Sequence, residues 1–279
     1  MRPLCSLCLG GGQTLMRLCN HRDTENTEDA QRLRYSLAEL LAKQMTINPI
    51  ETSQRKAARV AGLAGLITMA LVVVANFGIN GRLLVPGNAA QTAANIIAHQ
   101  TLFRVGIACF LTYSAGIFIL LSALYTILKP VNRTLALPAT FFRLVYALAW
   151  VVVAINLFGA LRLLTAADYL RVLDVERLHA LARLSISANA DVYYVGLLFY
   201  ALASTLCSYL WLKSHYIPRT LAALGLVSSL WCVAATLTFL ISPNFAQTVN
   251  LWWFDSPMGL FEMALSFWLL LRGLDARRR

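Results

Sequence analysis

Six long apolar segments, separated by short polar connections, constrain this chain more than any other feature of its sequence. A run of about 18 or more apolar residues is long enough to cross the hydrocarbon core of a bilayer as a helix. Charged residues make up 13% of the chain and the mean hydropathy is +0.63, whereas about a quarter of residues are charged in soluble domains. The sequence therefore predicts an all-α polytopic membrane bundle of about six transmembrane helices, at roughly 57–78, 102–128, 135–162, 188–212, 220–241 and 257–274.

The basic residues predict an orientation for this bundle. The formal net charge is +11, but the positive residues cluster at helix ends, which is typical of topology signals and argues against nucleic-acid binding. The connections alternate between two sides, and one side receives the cleanest basic bias. We therefore expect a multi-pass protein of the cell inner membrane with both termini cytoplasmic. The basic residues of that side are Arg55, Lys56, Arg59, Lys129, Arg133, Lys213, Arg219, Arg272 and the terminal three arginines.

The first 44 residues differ in composition from the rest of the chain. The stretch "CNHRDTENTEDAQ" is polar and typical of disorder, and no apolar signal-peptide core precedes it. Met45 starts a short polar lead with basic residues before the first apolar segment. We expect residues 1–44 to be a poorly structured extension, with Met45 as the translational start. Residues 45–56 are then a cytoplasmic lead, 57–274 the six-helix transmembrane domain and 275–279 a basic cytoplasmic tail.

The connection between the third and fourth predicted helices is longer than a turn. Its sequence "ADYLRVLDVERLHALARL" has leucines at helical spacing with charges between them. This pattern is typical of an amphipathic helix that lies on a membrane surface. We expect such a helix on the outer interface, where it covers the end of the bundle.

Arg143 and Arg162 lie within the third apolar segment, where a guanidinium is costly unless it reaches water or a partner. They are 19 residues apart, or about 28 Å along a helix, which is close to one hydrocarbon thickness of roughly 30 Å. The spacing predicts that the two arginines are interface anchors, one at each side of the membrane.

Glu262 is the acidic residue that remains inside the membrane by the same measure. It lies ten residues, about 15 Å, before Arg272, and a carboxylate at that depth must be paired, neutralised or hydrated. We expect Arg104 to be its partner. The predicted candidate site is a polar group in the outer half of the bundle, formed by Glu262, Arg104, His99, Asn156, Asn76, Asn95 and Asp191.

Two interpretations of this polar group remain open. The side chains could satisfy one another as interhelical contacts, or they could line an outward-facing cavity that binds a small polar molecule or a proton, with Glu262 as the titrating residue. No catalytic motif, phosphate loop or dinucleotide fingerprint occurs, so we predict neither an enzyme nor a cofactor. Cys5, Cys8, Cys19 and His21 lack a second close ligand pair, and no metal site is predicted.

Five segments of the chain resemble the bacterial membrane proteins of DUF4386, a domain of unknown function. The segments are "RKAARVAGL", "PGNAAQTAANIIAHQTLFRVGI", "LYTILKPVNRTLALPATFFRLV", "YLWLKSHYIPRTLAALGL" and "MGLFEMALSFWLLLRGL". The resemblance implies a bacterial inner-membrane protein with about six helices, but no substrate, catalytic residue or cofactor. A glutamate commonly follows the histidine in that family, whereas Gln100 follows His99 here.

The function favoured by these patterns is a transport-like bundle that binds a small polar molecule or a proton at an outward-facing polar site. The alternative is a structural or regulatory membrane protein that acts through protein partners and has no ligand. The lipid bilayer is the one partner that the sequence indicates. It identifies no protein partner and leaves open whether the protein forms a homo-oligomer.

Overall fold

The computed structural model describes residues 51–165, 174–242, 244–245, 249 and 252–275 and contains helices throughout most of that part of the chain. The first span, Thr52–Leu83, contains α1 (Thr52–Val73), a π-helical segment (Val74–Asn80) and α2 (Gly81–Leu83). It is followed by α3 (Ala89–Ala98), α4 (Gln100–Leu128), α5 (Arg133–Leu164), α6 (Val175–Ser214), α7 (Arg219–Ile241) and α8 (Trp252–Leu271).

Five of these segments are long and apolar enough to cross a membrane, which confirms the predicted membrane bundle. They are the first span, α4, α5, α6 and α7. The sixth predicted span coincides with α8, whose 20 residues correspond to a length of about 30 Å. We predicted that this helix starts at Pro257, but it already begins at Trp252 and contains Pro257 within its first two turns.

The fourth span differs from its predicted form. The amphipathic segment before it is helical from Val175 onward, and it continues without a break into the membrane helix to give the 40 residues of α6. Residues 166–173 lie outside the described part of the chain, as do the predicted extension 1–44, residues 45–50 of the predicted lead 45–56 and residues 276–279. Leu178 is buried against the bundle, whereas Leu181 and Leu184 are exposed.

The first and last described residues lie at the same end of the bundle. Gln54 Nε2 donates to the carbonyl oxygen of Ile127 at 3.1 Å, and the backbone N–H of Asp275 donates to the carbonyl oxygen of Tyr216 at 2.8 Å. We call this end, which holds residues 51–59, 128–133, 213–219 and 272–275, the basic end. The distal end is the opposite one, which holds the connection 84–99.

Two of the buried clusters divide the core along the helix axes. One lies toward the distal end around Phe110, Trp150 and Leu157, and another lies toward the basic end around Trp211 and Phe261. The most extensive helix–helix contact is between α5 and α6. Interdigitation of apolar side chains and small residues drives such association, because lipid tails are as apolar as the helix surfaces.

The first span and α8 pack most tightly near the basic end. A Cβ atom on Gly62 would lie 2.6 Å from the backbone nitrogen of Leu270, and one on Gly65 would collide with the Ser266 hydroxyl. Glycine at these two positions therefore allows the two backbones to approach closely. Gly259 of α8 lies nearer the distal end, and a Cβ atom built on it would meet open space.

Candidate functional site

A buried ion pair joins α5 to α8 inside the bundle. Arg143 Nη2 donates to Glu262 Oε1 at 2.5 Å, and Nη1 donates to Oε2 at 3.4 Å. The residues are only 3% and 8% exposed. Ser204 Oγ of α6 donates to Oε1 at 3.4 Å. The bidentate contact lets each charge neutralise the other in a place that water reaches poorly.

This contact corrects the prediction that Arg143 is an interface anchor. Because α5 begins at Arg133, Arg143 is ten residues, or about 15 Å, inside the helix. Glu262 is also ten residues from Arg272, at the same end of the bundle. The prediction measured Arg143 only against Arg162, at the distal end of α5, and so placed it at a boundary. Equal depth from the basic end brings the two charges together.

The predicted partner of Glu262 was also wrong. Arg104 lies in the second turn of α4, near the distal end, and is exposed. It is therefore not at the level of the carboxylate. Arg162 is exposed in the last turn of α5, and its role as an interface anchor stays a prediction.

A small chamber of about 40 Å³ adjoins the ion pair. It is lined by both members of the pair and by Thr68, Tyr113 and Ser266, among others. Arg143 Nε has no hydrogen-bond partner among the described residues. Since one water needs about 10–15 Å³ of such space, the chamber is large enough for ordered water to bind this N–H group.

A much larger cavity, the distal cavity, lies between the chamber and the distal end. Its volume is about 620 Å³. The first span, α4, α5, α6 and α8 all contribute to its wall. It occupies the space between the first span and α8 where these helices are no longer in close glycine contact, and Gly259 lies in its wall.

Aromatic side chains form one wall of the distal cavity. Trp150 is central to them, with its ring centroid 5.0 Å from that of Tyr113, 5.2 Å from that of Phe110 and 6.2 Å from that of Tyr193. Edge-to-face and offset contacts at these separations are favourable for aromatic rings. The wall is therefore apolar in bulk, with the polar tips of tyrosines within it.

Three tyrosines separate the distal cavity from the chamber. Tyr113, Tyr146 and Tyr200 line both spaces. The hydroxyls of Tyr113 and Tyr146 are 3.0 Å apart and hydrogen-bonded, and the guanidinium carbon of Arg143 lies 5.0 Å from the Tyr200 ring centroid. We call these three side chains the tyrosine layer, because they border both the chamber that holds the ion pair and the distal cavity.

Asp255 places a carboxylate in the cavity wall. Tyr193 Oη donates to Asp255 Oδ2 at 2.6 Å, which is within the usual range for an O–H···O hydrogen bond. No lysine, arginine or histidine lines the cavity among the described residues. The cavity therefore contains one acidic group and no basic group in the part of the chain that the structure describes.

Asparagines contribute the other polar groups on this side of the bundle. Asn76 and Asn80 belong to the π-helical segment and line the cavity together with Asn189 of α6. Asn156 Nδ2 donates to Asn189 Oδ1 at 2.9 Å. π-Helical turns occur frequently at functional sites, and this one presents two amides to the cavity.

The structure brings together only part of the predicted polar group. Asn76 lines the distal cavity, and Asn156 reaches it through Asn189. The remaining candidates lie elsewhere: Asn95 Nδ2 donates to the carbonyl oxygen of Leu83 at 3.3 Å, and His99, Arg104 and Asp191 are exposed.

Sequence reasoning missed Asp255 and the aromatic wall. Tyr146 and Trp150 are four residues apart, and Tyr193 and Tyr200 are seven apart, so each pair shares one helical face. These spacings are visible in the sequence. They are equally typical of ordinary core packing, however, and identified no cavity by themselves.

Comparison with known proteins gives a family match without an assigned activity. The family described as Domain of unknown function (DUF4386) matches residues 60–273. No curated protein and no solved structure matches the chain significantly.

Proposed function

The chain belongs to the DUF4386 family, and we propose that it is a membrane protein that binds a small amphipathic molecule in the distal cavity. The cavity itself carries this proposal: about 620 Å³ of space is within the range of roughly 300–1,000 Å³ that is typical of small-molecule sites. Its wall combines a large apolar and aromatic surface with a few amide, hydroxyl and carboxylate groups, as such sites commonly do.

The composition of the wall favours an amphipathic ligand over the small polar molecule or proton that the sequence suggested. Glu262, the residue expected to titrate, is engaged with Arg143 and lies behind the tyrosine layer. The ion pair thus supports a structural role for Glu262 as a contact between helices. We assign ligand binding to the distal cavity instead.

The orientation follows from the basic residues. Short loops rich in lysine and arginine remain in the cytoplasm, which supports a cytoplasmic basic end, with both described chain ends on that side, and an inner-membrane location. The distal cavity then lies in the half of the bundle that faces away from the cytoplasm.

The rim of the cavity favours entry of the ligand from the bilayer. Val73 and Phe77 of the first span and Leu260 of α8 line the cavity and are 45%, 57% and 61% exposed. Leu260 is twelve residues, or about 18 Å, from Arg272 at the basic end, and is therefore at the level of the hydrocarbon core. An amphipathic molecule dissolved in the membrane could pass between these two helices.

A saturable binding measurement tests the proposal. Purified protein in lipid nanodiscs is titrated with N-phenyl-1-naphthylamine, a neutral amphipathic fluorophore, and energy transfer from tryptophan is recorded after subtraction of empty nanodiscs. We expect saturable binding by the unmodified protein. Gly259→Phe should reduce the affinity at least about tenfold, because the new ring occupies cavity space that no other atom uses.

Val227→Phe is the matched control. Val227 is 67% exposed on α7, which does not line the cavity, so this variant should bind the probe as the unmodified protein does. Absence of saturable binding, or equal binding by Gly259→Phe, would contradict the proposal. The chain would then be better explained as a structural or regulatory membrane protein that acts through partners.

A further inference from the structure

We infer that the ligand of the distal cavity is a lipophilic organic cation, with Asp255 as its counter-ion and the aromatic wall as the surface on which it lies. This inference rests on the proposed function and specifies its ligand class. It is carried by the charge of the cavity, the geometry around Asp255 and the arrangement of the aromatic rings.

The charges around the cavity favour a cation. Asp255 is its one charged lining residue among those described. On the side of the cavity toward the basic end, the positive charge of Arg143 is paired with Glu262 and lies behind the tyrosine layer. The pair has no net charge, so the unbalanced charge among the described lining residues is that of Asp255. A half-buried carboxylate with no basic residue beside it in the cavity wall is stabilised by a ligand that supplies the positive charge.

The surroundings of Asp255 leave room for such a ligand. Its Oδ2 accepts the 2.6 Å hydrogen bond from Tyr193, which fixes the carboxylate at the cavity wall. The neighbouring lining residues on α8 are Ser256 and Gly259, and the latter has no atom within 4 Å of the position of a Cβ. The carboxylate therefore borders open cavity space and not a packed interface.

The aromatic wall supplies a second feature suited to a cation. Positively charged groups are attracted to the faces of tryptophan and tyrosine within about 6 Å of the ring centroid. Tyr193 links the two features, because its hydroxyl contacts Asp255 while its ring packs against Trp150 at 6.2 Å. The same cluster already holds one cation, since Arg143 lies 5.0 Å from the centroid of Tyr200.

The class of ligand follows from these features together. The apolar volume favours a bulky hydrophobic body, and the carboxylate with its aromatic neighbours favours one delocalised or alkylated positive charge. Such an ion has weak hydration and loses little when it leaves water or the headgroup region. A lipophilic anion of the same shape meets the Asp255 carboxylate and is disfavoured.

Two ions of nearly equal size and opposite charge test the inference. Tetraphenylphosphonium and tetraphenylborate are each equilibrated by dialysis with the protein in nanodiscs, and binding to empty nanodiscs is subtracted. We expect saturable binding of tetraphenylphosphonium and at least about tenfold weaker binding of tetraphenylborate. Asp255→Asn, which retains the acceptor for Tyr193, should weaken tetraphenylphosphonium binding about tenfold or more.

Asp191→Asn is the matched control, because it removes one exposed carboxylate near the distal end that does not line the cavity. It should leave the affinities for tetraphenylphosphonium and for N-phenyl-1-naphthylamine unchanged. Equal binding of the two ions by the unmodified protein would overturn the inference without any variant, as would an Asp255→Asn protein with full affinity for the cation. If the protein binds N-phenyl-1-naphthylamine but not tetraphenylphosphonium, this inference alone is overturned. If it shows no saturable binding of either probe, the proposed function is overturned as well.

Discussion

At the scale of single residues, the Arg143–Glu262 contact is the one buried ion pair among the described residues. Moving either charge from water into the interior is costly, and the cost is offset only by close pairing and additional hydrogen bonds. The pair has two hydrogen bonds between its members and one from Ser204. Neither charge can be removed alone without leaving the other uncompensated.

Glu262→Gln should therefore destabilise the folded protein strongly. Removal of one member of a buried ion pair costs about 3–5 kcal/mol, and the measurement is unfolding of the purified protein in mild detergent by increasing amounts of a denaturing detergent. Glu176→Gln, which neutralises an exposed carboxylate in the first turn of α6, should change stability little.

A double variant separates the loss of a partner from the loss of the pair. Arg143→Met together with Glu262→Gln removes both charges, and we expect it to recover much of the stability that Glu262→Gln loses. A Glu262→Gln protein that is as stable as the unmodified one would contradict a structural role of the pair.

Residue depth could be predicted from the sequence, but residue pairing could not. Counting from Arg272 predicted Glu262 well inside its helix, because rise per residue is a local property of a helix, and the structure buries this residue within the bundle. The partner of Glu262 was misassigned because the depth of Arg143 was measured from the distal end of α5. Measured from the basic end, where α5 begins and α8 ends, Arg143 and Glu262 lie at the same depth. The face of each helix and the identity of its neighbours depend on packing across the whole bundle.

At the scale of elements, the first span and α8 have two different relationships along their length. Near the basic end they pack through Gly62, Gly65 and Ser266. Toward the distal end the cavity lies between them. The close contact near the basic end joins the first span to α8. The gap between the same two helices toward the distal end leaves space for a ligand.

Two glycine-to-alanine variants on these facing helices should therefore differ in their effect on stability. Gly62→Ala puts a methyl group against the backbone of Leu270, and overpacking of this kind costs about 1–3 kcal/mol. Gly259→Ala meets no atom and should be neutral or stabilise the helix by up to about 1 kcal/mol. The same detergent unfolding experiment measures both, and equal destabilisation by the two changes would argue against the described packing.

Element boundaries show where local patterns stop being informative. Hydropathy located the five spans that the described part of the chain contains, because an apolar run of sufficient length is a local signal. It did not show that α6 extends unbroken from Val175 or that α8 begins at Trp252. A polar or amphipathic turn can continue a membrane helix when it packs on neighbouring elements, and the sequence alone does not reveal those neighbours.

At the scale of the whole molecule, orientation and cavity are linked. The basic end contains the connections 129–132 and 215–218, and the distal end contains the connection 84–99 and the cavity. The fold class was predictable from composition and run lengths. The cavity was not, because its volume arises from the separation of five elements that are distant in sequence.

Cysteine labelling tests the orientation. In a variant without native cysteines, Thr134→Cys at the basic end and Gln91→Cys at the distal end occupy exposed positions. In intact bacterial cells a membrane-impermeant maleimide should label only Gln91→Cys, and in inverted vesicles it should label only Thr134→Cys. The reverse pattern would place the basic end outside the cytoplasm.

Protection of a cysteine within the cavity tests the central claim most directly. Met263 lines the distal cavity and is half-buried, whereas Val227 faces away from it on α7. Met263→Cys and Val227→Cys, in the variant without native cysteines, are labelled in nanodiscs with N-ethylmaleimide in the presence and absence of saturating N-phenyl-1-naphthylamine. The account predicts that the probe slows labelling of Met263→Cys at least about tenfold and leaves Val227→Cys unaffected. Equal labelling of Met263→Cys with and without the probe would contradict it.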